Sequence, residues 1–353
     1  MKKIKPLLKR QTALNLCGNI ALSLITLLII EVTLRISGHT PWTRLDLDKN
    51  EFLFARDDYL GWRALPDNYN LVPIDKPITK SITFTIFSDG GRKTRIDSQN
   101  GAVANEYIPT GSTVAEFVGG SFIQGHGLSD NETIPWKVQK LLPLLDIRNY
   151  GVGAYGTIQT LLNMKLLLKK RILNKRHIIY AFCEFHELRN VLDPSNLSAI
   201  SKYSPSGNIK VPYASLDSSG NLQMHKPEGY PMFYGRETFS LVKLLEDFYM
   251  YASSWHRRKD ARRVTELLLL EMQKETKEAN ADFSVLMLDL SDTARASYLK
   301  FMKEHNINVI DCVDRRYDNK DMRQEHDPHP NEKMTELWSK CIASKLNKEL
   351  PLT

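Results

Sequence analysis

The stretch Val114-Ala-Glu-Phe-Val-Gly-Gly-Ser121-Phe122 decides how this chain is read. A short, mostly apolar run meets two glycines, and a serine follows at once. Glycines at that point permit a tight strand-to-helix turn, which lifts a hydroxyl to the carboxyl end of a sheet, where open α/β folds place their ligands. Ser121 is therefore a candidate nucleophile. Gly-Gly-Ser also occurs in ordinary loops, so the reading depends on what surrounds it.

Downstream, strand and helix patterns alternate. After the strand Val114 to Val118 come a helix at Thr133 to Leu145, a strand at Ile147 to Tyr150 and a helix at Ile158 to Leu173. Ile178 to Phe182 reads as a buried strand, Val264 to Ala279 as a long helix, Phe283 to Leu288 as a strand and Thr293 to Glu304 as a helix. Val309 to Val313 is the last strand and Lys333 to Glu349 the last helix. Strands separated by helices predict a parallel sheet covered on both faces, an α/β fold of three layers. Residues 194–263 interrupt the rhythm with an insertion rich in Ser, Gly, Pro and Tyr. Within it Ile209 to Met224 is patterned like a hairpin around Asp217-Ser-Ser-Gly220, expected over the edge of the sheet, and Phe239 to Tyr251 looks helical. His256-Arg-Arg-Lys259 with Arg262 and Arg263 is the body's one basic cluster. A solvated helix start accounts for it, and the alternative is a site for an anionic polysaccharide or lipid head group.

A serine hydroxyl becomes a nucleophile when an imidazole can take its proton and a carboxylate holds that imidazole's tautomer. Near the far end stands His326-Asp327-Pro-His329-Pro-Asn331, just before the last helix, where a final connection returns to the same sheet edge. His329 is the candidate base, Asp327 the candidate carboxylate, and Asn331 the expected cap of the helix. A metal held by His326, Asp327 and His329 lacks a fourth ligand by spacing, so no metal and no cofactor is expected.

With these residues in place the chain resembles the SGNH/GDSL hydrolases. Gly119-Gly120-Ser121 matches their first block, Gly-Asp-Ser, and Gly127-Leu-Ser-Asp-Asn-Glu-Thr133 resembles the segment that often trails that block. Asn149-Tyr-Gly-Val-Gly-Ala-Tyr-Gly-Thr157 resembles the second block and Asp327-Pro-His329-Pro-Asn331 the last. Tyr59 to Arg63 and Phe87 to Arg92 are similar to the lead-in of exported bacterial members. The resemblance implies a flavodoxin-like sheet and an oxyanion hole built from the N–H groups of Ser121 and of Ala154 or its neighbour Gly153. Departures accompany it. The first block's aspartate is Gly120, the third block's asparagine is matched by His186, and one residue rather than two separates Asp327 from His329. A neutral imidazole can donate a hydrogen bond, so His186 is the candidate third oxyanion donor, with pairing to Glu187 or a neighbour as the alternative. The implied activity is ester hydrolysis through an acyl-enzyme, on O-acyl groups of cell-envelope glycans or lipids. The alternatives are an O-acetyltransferase of envelope polysaccharide and an inactive envelope module that binds or assembles.

The start of the chain places this body relative to a membrane. Gln11 to Ile30 carries no charge, close to the roughly 20 positions a helix needs to cross a bilayer. Lys2, Lys3, Lys5, Lys9 and Arg10 precede it with no acidic residue among them, which predicts a cytoplasmic N-terminus and a periplasmic or other extracytoplasmic body. The expected organisation is a basic tail (1–10), a transmembrane helix (11–34), membrane-proximal strands and loops (35–110) and the main domain (111–353) with its insertion. The competing readings are a buried core helix and a cleaved signal peptide, and the latter fits less well because the apolar stretch is long and no Ala-x-Ala-like site follows. The formal charge is +7, but that tail supplies five of the charges, so the body is nearly neutral and nucleic acid is not an expected partner. Of four cysteines Cys17 lies in the span. The spacings of Cys183, Cys312 and Cys341 name no pair, so buried free thiols are expected, one disulfide being possible in an oxidising compartment.

Overall fold

The computed structural model describes residues 4–43, 54–71, 81–95, 113–170, 175–202, 204, 209–229, 232–325 and 327–349. Helix α1 (Ile4–Ile36) comes first, then the antiparallel pairs β1 (Phe54–Asp57) with β2 (Gly61–Ala64) and β3 (Asp67–Leu71) with β4 (Ile82–Ile86). The main domain continues with β5 (Val114–Gly119), α2 (Ser121–Gln124), α3 (Ile134–Leu141), β6 (Asp146–Gly151), α4 (Thr157–Leu168) and β7 (Arg176–Cys183). Next come α5 (His186–Asn190), α6 (Pro194–Ser201), the hairpin β8 (Lys210–Leu216) with β9 (Leu222–Gly229), α7 (Ser240–Lys259) and α8 (Ala261–Glu278). The chain closes with β10 (Asp282–Asp289), α9 (Asp292–Glu304), β11 (Asn308–Asp311), the short pair β12 (Arg323–Gln324) with β13 (Asp327–Pro330), and α10 (Glu332–Glu349).

Every residue of β5, β6 and β7 is buried, which is why these strands read as continuous runs rather than alternating ones. They form a parallel five-stranded sheet in the order β11-β10-β7-β5-β6. Successive side chains leave to opposite faces. Phe117 packs with Ile134, Val138, Trp338 and Ile342 of α3 and α10, while Val118 joins Leu161, Leu268 and Tyr298 of α4, α8 and α9. The three-layer α/β fold is thus present, and strand order reverses around β5, the kind of position at whose carboxyl end open α/β folds place their ligands.

Local chemistry moves several expected boundaries. Helix α3 stops at Leu141, not Leu145, because Leu142 precedes Pro143 and is pushed out of the helical region, to φ −124° and ψ 70°. Helix α7 runs on to Lys259, so the basic cluster lies in its last turn and at the start of α8. It is therefore not a helix start alone: His256 to Lys259 sit where the helix dipole favours cations. The hairpin packs on α4, α5 and α8 through buried Val211 and Ala214, away from the sheet's edge. The expectation of free thiols holds for buried Cys183 but not for Cys312 and Cys341, which form a disulfide between the end of β11 and α10.

Two further features frame the site. An apolar segment of α1, Asn15–Ile36, spans 22 residues with mean hydropathy 2.0, and nearly all of it is exposed, Glu31 near its end being buried against the domain. The segment after β4 docks on the sheet edge at β6, where Arg92 N donates to Asn149 O at 2.7 Å and Thr94 Oγ1 to Ile147 O at 2.8 Å.

Candidate active site

The turn after β5 is built by its glycines. Gly119 has φ 151°, and a Cβ there would lie 3.0 Å from Ala181 O on β7. A Cβ on Gly120 would lie 3.0 Å from His186 Nε2 and 3.1 Å from Tyr155 O. Ser121 thereby opens α2 at the carboxyl edge of the sheet, only 4% exposed, with its N–H among the first of a helix and so without an intrahelical acceptor.

Helix α2 is one turn long and is held from outside. The wholly buried Arg92 guanidinium donates to Gln124 O (2.6 Å), Gly125 O (2.7 Å), Leu128 O (2.6 Å) and Asp130 Oδ1 (2.9 Å). Asn149 Nδ2 donates to Ile123 O at 2.9 Å. Asn149 opens the stretch that resembles the second block, but its support of α2 is not visible in the sequence. Arg92 follows a Gly-Gly turn and was legible only as part of a lead-in segment.

Facing Ser121 is β13. His329 Nε2 lies 2.7 Å from Ser121 Oγ, and His329 Nδ1 is hydrogen-bonded to Asp327 Oδ1. Asp327 Oδ1 also accepts the backbone N–H of His329 at 2.8 Å. Because Nδ1 must carry the proton given to a carboxylate, Nε2 is left as the acceptor for the serine hydroxyl. Burial alone would raise the Asp327 pKa, but the bonds and charge of His329 outweigh it and hold the carboxyl at about 2. Asp327 is thus ionised throughout the physiological range. The strand is fastened by Tyr317 Oη donating to Pro328 O and by Gln324 Nε2 donating to Pro330 O at 3.3 Å. Phe122 packs edge-on against the His329 ring, with centroids 5.7 Å apart. Asn331 Oδ1 caps α10, accepting from Lys333 N and Met334 N at 3.1 and 3.2 Å.

Among the remaining expected residues, Gly153 and Ala154 lie in the loop after β6. Among the described residues no hydrogen-bond acceptor is found for either N–H. Ala154 has φ 63°, a left-handed conformation that glycine adopts more readily. His186 is buried at the start of α5, does not pair with Glu187, and has Nδ1 2.8 Å from Tyr180 Oη. Its Nε2 faces Gly120, one residue before the serine. Burial, reinforced by the charge of Arg189, pushes its pKa well below the usual range, so the ring is neutral.

His126, between Gly125 and Gly127, carried no signal in the sequence. Its Nε2 lies 3.7 Å from Asp327 Oδ2 and its ring centroid 4.4 Å from that of His329. Ligand atoms of His126, Asp327 and His329 all fall within 4.8 Å of one another, a spacing that could hold a metal ion. His326, named with Asp327 and His329 in the sequence, lies outside the described residues.

No protein-family profile and no curated protein matches the chain. Its fold is similar to that of solved structures. A member of the lipolytic protein G-D-S-L family from Veillonella parvula DSM 2008 is 13% identical at a TM-score of 0.39, with 68% of this chain and 100% of that chain covered. A lipolytic protein of the G-D-S-L family from Desulfitobacterium hafniense DCB-2 is 11% identical at 0.37, with 66% and 99% covered. A variant of the esterase AlinE4 is 13% identical at 0.35, with 69% and 100% covered.

Proposed function

We propose that the protein is a serine esterase of the SGNH/GDSL type that cleaves an ester through an acyl-enzyme. The observation that carries this reading is the bonded series Ser121–His329–Asp327, assembled from two ends of the domain at the carboxyl edge of the sheet. In the mechanism His329 Nε2 takes the proton of Ser121 as Oγ attacks the ester carbonyl. The resulting imidazolium is balanced by ionised Asp327. The N–H groups of Ser121 and of Gly153 or Ala154, with His186 Nε2, receive the negative oxygen of the tetrahedral intermediate. Its collapse breaks the bond to the alcohol, which leaves with the proton from His329. Water, activated by the same imidazole, then releases the acid.

The same reading places the enzyme at a membrane. The apolar part of α1 serves as an anchor, the basic N-terminal residues stay in the cytoplasm, and the domain works in the periplasm or an equivalent compartment on acylated glycans or lipids. The Cys312–Cys341 disulfide supports an oxidising location.

The test is a fluorophosphonate probe applied to the full chain in detergent. Labelling that disappears in Ser121→Ala is the expected result, and absence of labelling in folded wild type overturns the reading. Turnover of short-chain p-nitrophenyl esters against acetylated glycans, with and without free sugar hydroxyls, then separates hydrolysis from transfer.

A further inference from the structure

Outside α1, α7 carries more exposed large apolar side chains than any other described element. Leu244, Leu245, Phe248, Tyr249, Tyr251 and Trp255 are all exposed, Phe248 by 73%. At 3.6 residues per turn they occupy one side of the helix. Glu246, Met250 and Ser254 on the opposite side are buried against the domain. A helix that turns its apolar side outward and its polar Glu246 and Ser254 inward leaves an apolar surface to cover.

The joint between α7 and α1 indicates what covers it. Glu31, inside the apolar segment, accepts the N–H groups of Ser240 and Leu241 at 2.8 and 3.0 Å, so a carboxylate from α1 caps the first turn of α7. Arg35 Nη2 donates to Thr238 O at 2.6 Å, and Trp42 N to Arg236 O at 3.0 Å, which ties the end of α1 and the chain after it to the segment that leads into α7. Glu31 lies five residues before Ile36, where the apolar segment ends. At about 1.5 Å per residue, α7 therefore starts roughly 7 Å inside the end of that segment. A bilayer that covers Asn15–Ile36 reaches the first turn of α7.

We propose that α7 is an interfacial helix whose outer face lies in the acyl–headgroup boundary of the bilayer that α1 crosses. The proposal rests on the reading of α1 as a membrane anchor. Tyr251 and Trp255 belong to the residue types that settle at that depth, and exposed Lys259, 5.1 Å from the Trp255 ring, reaches from the same face toward head groups. The domain is then pressed against the membrane rather than hung from a tether, and the apolar side chains are covered by lipid.

The experiment uses the full chain in phosphatidylcholine nanodiscs doped with doxyl lipid, with a fluorophore placed at one thiol at a time. Native Cys17 reports on the span. Phe248→Cys reports on α7 and Lys300→Cys on α9, both in a Cys17→Ser background, while Cys183 is buried. Fluorophosphonate labelling of each variant checks that the fold is intact. The expected result is loss of emission to doxyl lipid at positions 17 and 248 and protection of 248 from aqueous iodide, with the reverse at 300. Lipid quenching at 17 with iodide quenching at 248 overturns the role of α7 and leaves the anchor standing. A label at 248 shielded from both quenchers means a protein covers the face, and also overturns it. No lipid quenching at 17 or 248 removes the anchor, and the proposal with it.

Discussion

His329 Nε2 lies 2.7 Å from Ser121 Oγ across 208 residues of chain, each group delivered by a different end of the domain. The serine is placed by a glycine turn after the first strand of the sheet. The imidazole is placed by a short strand whose carbonyls are held by Tyr317 and Gln324. Neither placement depends on the other, so either partner can be removed with the fold intact. Ser121→Ala is expected to abolish esterase activity. His329→Ala should lower kcat roughly ten-thousand-fold, with KM little changed, in p-nitrophenyl ester assays. Equal activity in His329→Ala and wild type would remove the imidazole from the mechanism.

The proposed role of His186 as third oxyanion donor depends on a tautomer. Neutral His186 has one N–H, and it can meet an oxyanion only if that N–H is at Nε2. Asn190 Oδ1 accepts from Ile158 N at 3.1 Å, so its amide protons go to Thr157 Oγ1 and Thr265 Oγ1, at 2.9 and 2.8 Å. The 2.9 Å contact between Thr157 and Tyr180 joins two hydroxyls, either of which can donate. If Thr157 gives its proton to Tyr180 and Tyr180 gives its own to His186 Nδ1, every buried donor in the series is used and Nε2–H faces the site. Tyr180→Phe should therefore lower kcat without moving KM. His186→Ala should cost about a hundredfold or more. His186→Asn, whose amide donates without regard to tautomer, should keep much of the activity and make Tyr180→Phe silent. An effect of Tyr180→Phe that persists in the His186→Asn background would assign Tyr180 to packing alone.

Arg92, just after β4, is bonded to the carbonyls that end α2, the helix that Ser121 opens. Replacing it with Met takes the guanidinium away from buried Asp130, which keeps the Thr85 N–H, and from three buried carbonyls, and breaking a buried ion pair of this kind costs about 3–5 kcal/mol. Arg92→Met should lower the denaturation midpoint in detergent and slow esterase turnover as α2 loosens. Arg92→Lys should recover little, since a single ammonium cannot span the acceptors that the planar guanidinium reaches. Wild-type stability in Arg92→Met would show that these contacts are dispensable.

How much of this was legible in the sequence depends on where the constraints lie. Continuous apolar runs announce buried parallel strands, because both faces of the sheet are covered, and the Gly-Gly-Ser turn announces itself because few residues tolerate Gly119's φ of 151°. The convergence of Ser121, Asp327 and His329 was legible since the chemistry they could perform restricts residue type and order. Arg92 and His126 were not, because an arginine in a turn and a histidine between glycines have no periodicity, and their roles arise only once β4, α2 and β13 meet. The Cys312–Cys341 pair was hidden for the same reason: the proximity of β11 and α10 is a property of the packed layers, not of cysteine spacing.

That disulfide closes a loop with a sequence separation of 29, and loop-closure entropy of this size corresponds to about 3.5 kcal/mol. Cys312→Ser with Cys341→Ser should lower the thermal midpoint, and reductant should do the same to wild type while leaving the double variant unchanged. A reductant effect of equal size in both would place the sensitivity elsewhere.

His177 supplies a pH dependence whose sign can be worked out. Its Nε2 lies 2.7 Å from Ser284 Oγ in the sheet, with the ring 3% exposed. Burial lowers its pKa from 6.5 to about 4, helped by Lys175 and opposed by Asp282. Between those values the unfolded chain binds a proton that the folded chain refuses. The contribution of this group to stability is therefore complete above pH 6.5, declines as the pH falls toward 4, and has no further to fall below that. The shift corresponds to a loss on the order of 3 kcal/mol. Unfolding measured at pH 7.5 and 4.5 should show this loss in wild type. His177→Gln keeps an acceptor for the Ser284 hydroxyl without a titrating ring, and should make the two values converge. If the variant loses as much stability on acidification as wild type, other groups carry the acid sensitivity and the buried ring of His177 is not its source.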